Sequence, residues 1–179
     1  MKKTLIISYC LNIGGGEKLV HELVSFAVKH NIKPTVLIPD EYNKEYYDEI
    51  FAKMNVPVVR TSLTKIHRLR NPVNLIKAIF WRIKLKYFIN REFDSVQFIN
   101  LIMMENVGKY TRHSNRFVWH ITNSAQYPGG KYIYPKSILA NPNDSIVYIN
   151  NYQEEEINKD YADVKVRQIS FKLFLNKQS

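Results

Sequence analysis

Leu5-Ile6-Ile7-Ser8-Tyr9-Cys10-Leu11-Asn12-Ile13-Gly14-Gly15-Gly16-Glu17-Lys18-Leu19-Val20 sets the fold class of this chain. The apolar run from Leu5 to Tyr9 has the length and composition of a buried strand. Three glycines break it, and Glu17 to Lys29 then carries Leu19, Val20, Leu23, Val24 and Val28 on one side at helical spacing. Strand, glycine turn and helix in that order open a βα unit.

Outward from this unit the alternation continues. Thr35 to Ile38 reads as a second strand stopped by Pro39, followed by a helix from Asn43 to Met54 and a short strand, Val56 to Val59. A helix is expected from Pro72, which a first turn tolerates, to about Asn90. A strand at Ser95 to Ile99, a helix at Glu105 to His113 and a strand at Arg116 to Ile121 come next. The stretch Asn123 to Pro142 holds Pro128-Gly129-Gly130 and Pro135 and reads as loop. Ser145 to Ile149, Gln153 to Asn158 and Val164 to Phe171 then give strand, short helix and strand. Residues 1–179 are thus expected to form a single α/β domain. It is Rossmann-like and three-layered, with a mainly parallel sheet of about six or seven strands.

Composition bounds the function. An apolar share of 45% suits a globular protein, and a formal charge of +10 attracts anions without choosing among nucleic acid, acidic lipid and phosphate-bearing substrates. The single cysteine, Cys10, allows neither an intrachain disulfide nor a cysteine metal cluster and fits a reducing, cytoplasmic setting. No apolar stretch is long enough to cross a bilayer, so membrane contact is expected to be peripheral.

The glycine turn lies at the carboxyl edge of the sheet, where α/β folds place ligands. Glycines let a ligand approach the backbone, and the helix behind them offers free N–H groups to a phosphate. The same turn also serves as a tight connection with no ligand. A dinucleotide fingerprint is excluded because Leu19 stands where the third glycine belongs, and no Gly-Lys-Ser/Thr closes a P-loop. Glu17 suits the positive end of the helix better than contact with an anionic ligand.

Gly14-Gly15-Gly16-Glu17, the helix, Lys29-His30-Asn31 and the strand Pro34 to Pro39 together resemble the opening of GT-B fold retaining glycosyltransferases of the family 4 group. Asn31 and Lys33 depart from the glycine-histidine step that family shows before its second strand. The resemblance implies the N-terminal, acceptor-binding half of an enzyme that moves a sugar from a nucleotide-diphosphate sugar to a glycan or lipid-linked acceptor, in cell-surface polysaccharide synthesis. Because the sequence stops at Ser179, the donor-binding domain is expected to be absent and the chain alone inactive, unless a partner chain supplies that half. By resemblance Gly15 and Gly16 would touch the donor diphosphate, Gly14 would shape the turn, and His120 would be the catalytic-site residue near the transferred sugar. No metal or other cofactor is implied.

Asn100, ending a strand, suits hydroxyl recognition or a simple turn, and Tyr127 in Tyr127-Pro128-Gly129-Gly130 suits sugar stacking or an ordinary loop. Lys65, Arg68, Arg70, Lys77, Arg82, Lys84, Lys86 and Arg91 follow one another without an acid and interleave with apolar residues. Trp81, Arg82, Lys84 and Lys86 are expected to face an anionic membrane on the inner side of the plasma membrane. A helix packed on the sheet with a solvated basic edge fits equally. The alternative function is a non-catalytic Rossmann-like module that binds a membrane, a protein partner or nucleic acid through this helix. No nucleic-acid motif supports the last.

Overall fold

A computed structural model describes residues 1–41, 43–64, 71–122, 128–130, 136–160, 162–163 and 165–171. The strands are β1 (Lys3–Ile7), β2 (Lys33–Ile38), β3 (Val58–Arg60), β4 (Ser95–Ile99), β5 (Arg116–His120), β6 (Ser145–Tyr148) and β7 (Arg167–Ser170). The helices are α1 (Gly15–Lys29), α2 (Tyr46–Lys53), α3 (Pro72–Tyr87), α4 (Ile89–Glu92), α5 (Leu101–Val107), α6 (Lys136–Leu139) and α7 (Asn151–Asp160). The strands form one sheet of seven in the order β3-β2-β1-β4-β5-β6-β7, and every neighbouring pair is parallel. This is the three-layer Rossmann-like arrangement expected from the alternation.

Apolar side chains alternate between two cores, one on each face of the sheet. Leu5, Ile7, Phe98, Val118, Ile146 and Tyr148 point to the face covered by Trp81 and Leu85 of α3, Met103 and Val107 of α5, and Ile157 of α7. Ile6, Val36, Ile38, Ile99, Trp119 and Val147 point to the other, where Leu19, Val20 and Val24 of α1 and Phe51 of α2 lie. β1 is central and bonds β2 on one side and β4 on the other. The chain changes direction there, which makes the C-terminal ends of β1 and β4 the switch point of the sheet.

A short helix, α6, stands in the stretch Asn123 to Pro142 that reads as loop, and two other elements differ more in their bounds. The fourth long helical segment begins at Leu101 and not Glu105, because the Asn100 side chain accepts from Ile102 N at 3.2 Å and starts the helix four residues early. It closes with a 3₁₀ turn, Gly108–Tyr110. The segment from Pro72 is broken at Phe88, after which α4 forms a separate turn.

At the opposite edge of the sheet, Arg116 is buried with Asp144. Its Nε and Nη2 donate to the two carboxylate oxygens at 2.7 and 2.5 Å. Nη1 donates to the carbonyls of Gly108 and Thr111 at 3.0 and 2.8 Å. One guanidinium thereby ties β5, the turn before β6 and the end of α5.

Candidate functional site

At the switch point the glycine turn is closed by the chain's own carboxylate. Gly14 precedes α1 in extended backbone, and a Cβ on it would collide with Glu17 Oε2. Glu17 therefore folds back over the positive head of its own helix, a favourable place for a negative charge, and its Oε1 accepts from Cys10 Sγ at 2.9 Å. A Cβ on Gly16 would stand 3.2 Å from Ile121 Cδ1, whereas one on Gly15 would meet open space. The first and third glycines thus stand against side chains of the chain itself, Glu17 and Ile121.

Glu45 anchors the loop that leads into this turn. Its carboxylate accepts from Leu11 N at 2.6 Å, from Asn12 Nδ2 at 2.8 Å and from Arg60 Nη2 at 3.0 Å. Asp48 also pairs with Arg60 and accepts from Glu45 N at 2.8 Å, which caps α2. The loop after β1 is therefore bolted to the head of α2.

Burial, the hydrogen bond to Glu17 and the charges of Glu17 and Glu45 push the Cys10 thiol up to about 11 from its ordinary 9.0, against a backbone hydrogen bond that lowers it. A rise of that size cuts the thiolate fraction ~100-fold, and the greater nucleophilicity of a more basic thiolate returns roughly tenfold. Iodoacetamide at pH 8 is expected to alkylate Cys10 ~10-fold more slowly than free cysteine, and Glu17→Gln to speed it. A wild-type rate matching free cysteine would contradict this environment.

Asn100 closes β4 with φ of 87°, a strained region for a residue with a side chain. Its Oδ1 caps α5 and its Nδ2 donates to Thr122 Oγ1, joining the ends of β4 and β5. His120 ends β5 on the same edge, but strand alternation sends its side chain to the face of Val118, away from Trp119 and the glycine turn. The imidazole is 0% exposed, and its Nε2 lies 3.3 Å from Glu156 Oε2 of α7. Burial lowers its pKa although Glu156 and Asp160 pull upward. The structure therefore brings Gly16 beside Ile121 and does not bring the glycines and the imidazole together. Tyr127 lies outside the described residues, as do Lys65, Arg68 and Arg70 of the basic run.

The basic helix is sorted by its own periodicity. Asn71 caps it, its Oδ1 accepting from Val73 N at 2.9 Å, and Pro72 occupies the first turn. Trp81 is only 9% exposed and belongs to the core with Ala78 and Leu85. Arg82 Nε donates to the Leu63 carbonyl at 2.7 Å, and its guanidinium covers the Tyr110 ring at 4.6 Å. Lys84 pairs with Glu92 at 2.9 Å and stands 4.5 Å over the Trp81 ring. Of these four residues only Lys86 is exposed.

Facing solvent instead are Val73, Ile76, Ile79, Phe80, Ile83 and Tyr87, with Ile76 66% exposed. At ~100° per residue these positions fall on one stripe. Lys77 and Lys84 flank it on one side and Lys86 on the other. The helix is apolar on two opposite faces, which an average over its length conceals and which only the position of the core residues reveals.

Among the described residues no group of three His, Cys, Asp or Glu is placed to hold a metal ion, and no helix is long and apolar enough to cross a membrane. No protein-family model matches the chain, and no curated protein matches it. Among solved structures it is similar to a protein from Burkholderia multivorans described as a short-chain alcohol dehydrogenase, at 9% identity over 95% of this chain and 96% of that one, with a TM-score of 0.46. It is similar to a short-chain dehydrogenase/reductase from Burkholderia vietnamiensis at 10% identity over 98% of this chain and 86% of that one, with a TM-score of 0.40. The activity in those descriptions belongs to those proteins.

The resemblance to family 4 glycosyltransferases is corrected by these findings, since the solved structures with a similar arrangement are described as dehydrogenases and not as GT-B sugar transferases. Membership of that family, the transferase class, the nucleotide-sugar donor, the sugar acceptor and the role in polysaccharide synthesis do not stand. The geometry agrees, because Glu17 holds the helix head that a diphosphate was expected to occupy.

Proposed function

We infer that this chain is a Rossmann-like domain that settles on an anionic membrane surface through the outer stripe of α3. The carrying observation is an exposed row of six apolar side chains on a helix that holds Lys77, Arg82, Lys84 and Lys86 and no acid. Soluble proteins seldom leave a contiguous apolar patch in water without a use for it. An interfacial helix buries such a stripe at the boundary of headgroups and acyl chains, while flanking lysines reach the phosphates. Lys77 and Lys86 would each add ~1 kcal/mol near an acidic leaflet. The formal charge of +10 draws the whole domain the same way. The cytoplasmic leaflet carries the required negative charge, and a lone unbridged cysteine suits that side. This reading puts the protein on the inner face of the plasma membrane.

Vesicle sedimentation tests this reading. The wild type is expected to bind phosphatidylglycerol vesicles, to bind phosphatidylcholine vesicles far less, and to release as salt rises. Ile76→Ser, Phe80→Ser and Ile83→Ser together are expected to weaken binding ~100-fold while leaving the fold intact, because half-burying three such side chains is worth ~3 kcal/mol. Equal binding by the triple variant, or indifference of the wild type to acidic lipid at low salt, would end the proposal.

A further inference from the structure

Crossovers between parallel strands are right-handed, and here that rule leaves part of the sheet bare. The steps from β1 to β2 and β3 run one way across the sheet and put α1 and α2 on one face. The later steps run the other way, and α3, α5, α6 and α7 pack on the opposite face. Over β4 to β7 the α1 face carries no helix among the described residues. What remains is an open trough of ≈ 1170 Å³ beside α1, floored by Phe117, Trp119, Ile121, Val147, Ile149 and Ile169. Leu19, Leu23 and Phe26, at the spacing of a helix-packing seam, form its wall. Phe26 stands 57% exposed above it.

We propose that this trough seats an amphipathic α-helix of a partner polypeptide, acidic in its first and last turns and basic between them. Size favours a helix over a small molecule, because pockets for drug-sized ligands are ~300–1,000 Å³ and mostly enclosed. Four strands at ~4.8 Å spacing give a floor wide enough for one helix of ~10 Å diameter beside α1. Charge fixes its pattern. Lys18 stands at the head of α1, Glu22 one turn on, and Lys2 and Lys3 at the far end of the trough, where Asp94 also lines it and leaves a net positive charge. A helix lying along α1 meets them with acid, base and acid in turn, as flanking charges do in paired helices. A second copy of this chain would bring a further +10 and repel. The floor is not uniformly apolar either, since Trp119 Nε1 donates to Gln97 Oε1 at 2.8 Å and the Thr4 and Ser95 hydroxyls bond at 2.9 Å. That polar strip suits a helix with some polar side chains better than a hydrocarbon tail.

A labelled peptide of about 18 residues, with leucines at helical spacing, glutamates in its end turns and lysines between, serves as the probe. Its isomer with glutamate and lysine exchanged serves as the control. The intact chain is expected to bind the first saturably and the second about tenfold more weakly. Phe26→Glu, at an exposed position, is expected to weaken the first about tenfold with an unchanged circular dichroism spectrum. Lys18→Glu is expected to narrow the preference between the two peptides, which a variant that merely loosened the fold would not do. Absence of binding by either peptide, or equal binding of both by the wild type, overturns the proposal. Self-association that Phe26→Glu abolishes would assign the trough to a second copy, and displacement of the peptide by micromolar decanoate would assign it to lipid. Both outcomes also overturn it.

Discussion

Asp144→Ala is expected to lower the free energy of unfolding by ~3–5 kcal/mol, the cost of stranding one member of a buried ion pair. The carboxylate has no exposure and Arg116 almost none. With the carboxylate gone, the guanidinium keeps the carbonyls of Gly108 and Thr111, and neither neutralises its charge. A loss of that size is a large share of the ~5–15 kcal/mol that holds an ordinary domain together, so urea melts should show a much earlier midpoint. Arg116→Met combined with Asp144→Leu removes both charges, and much of the lost stability is expected to return. A single-variant loss below ~1 kcal/mol would mean that water reaches the pair.

Glu45→Ala is expected to cost ~2–3 kcal/mol, from the lost hydrogen bonds of Leu11 N and Asn12 Nδ2 to a poorly exposed carboxylate and from a weakened set of partners at Arg60. Arg60 keeps Asp48 as a partner, which is why the effect is smaller than at Asp144. The loss should also have an address. Amide exchange at Leu11, whose N–H bonds Glu45, is expected to accelerate more than exchange in the central strands, because the loop before the glycine turn loses its anchor while β1 keeps both neighbours. Glu45→Gln should retain part of the stability, since one oxygen still accepts. Uniform exchange throughout the chain would show that Glu45 acts on global stability alone.

The alternation of short apolar runs with helix-period segments was enough to read a parallel α/β sheet, and Ser95 to Ile99 matches β4 residue for residue. What one strand's pattern does not carry is which face of a three-layer sheet each side chain enters. His120 and the glycine turn share an edge in sequence reasoning, yet alternation against Trp119 puts the imidazole beneath α7. The Gly14-Gly15-Gly16 run reads as a vacant cradle because its spacing does not reveal that Glu17 turns back onto it. In α3, Trp81 and Ile76 look equivalent by residue type, and only the packing of the helix on the sheet, which buries Trp81 with Ala78 and Leu85, decides that the first goes in and the second out. The Arg116–Asp144 pair left no local signal, being made by residues 28 positions apart.

The two uncommitted surfaces belong to opposite layers of the sandwich, with the α3 stripe outside one layer and the trough beside α1 in the other. Resting on lipid by the first would turn the second toward the aqueous phase, with its mouth unobstructed. Tethering and recruitment would then be simultaneous rather than competitive, and the domain would work as a coupler that concentrates a helical client at the bilayer.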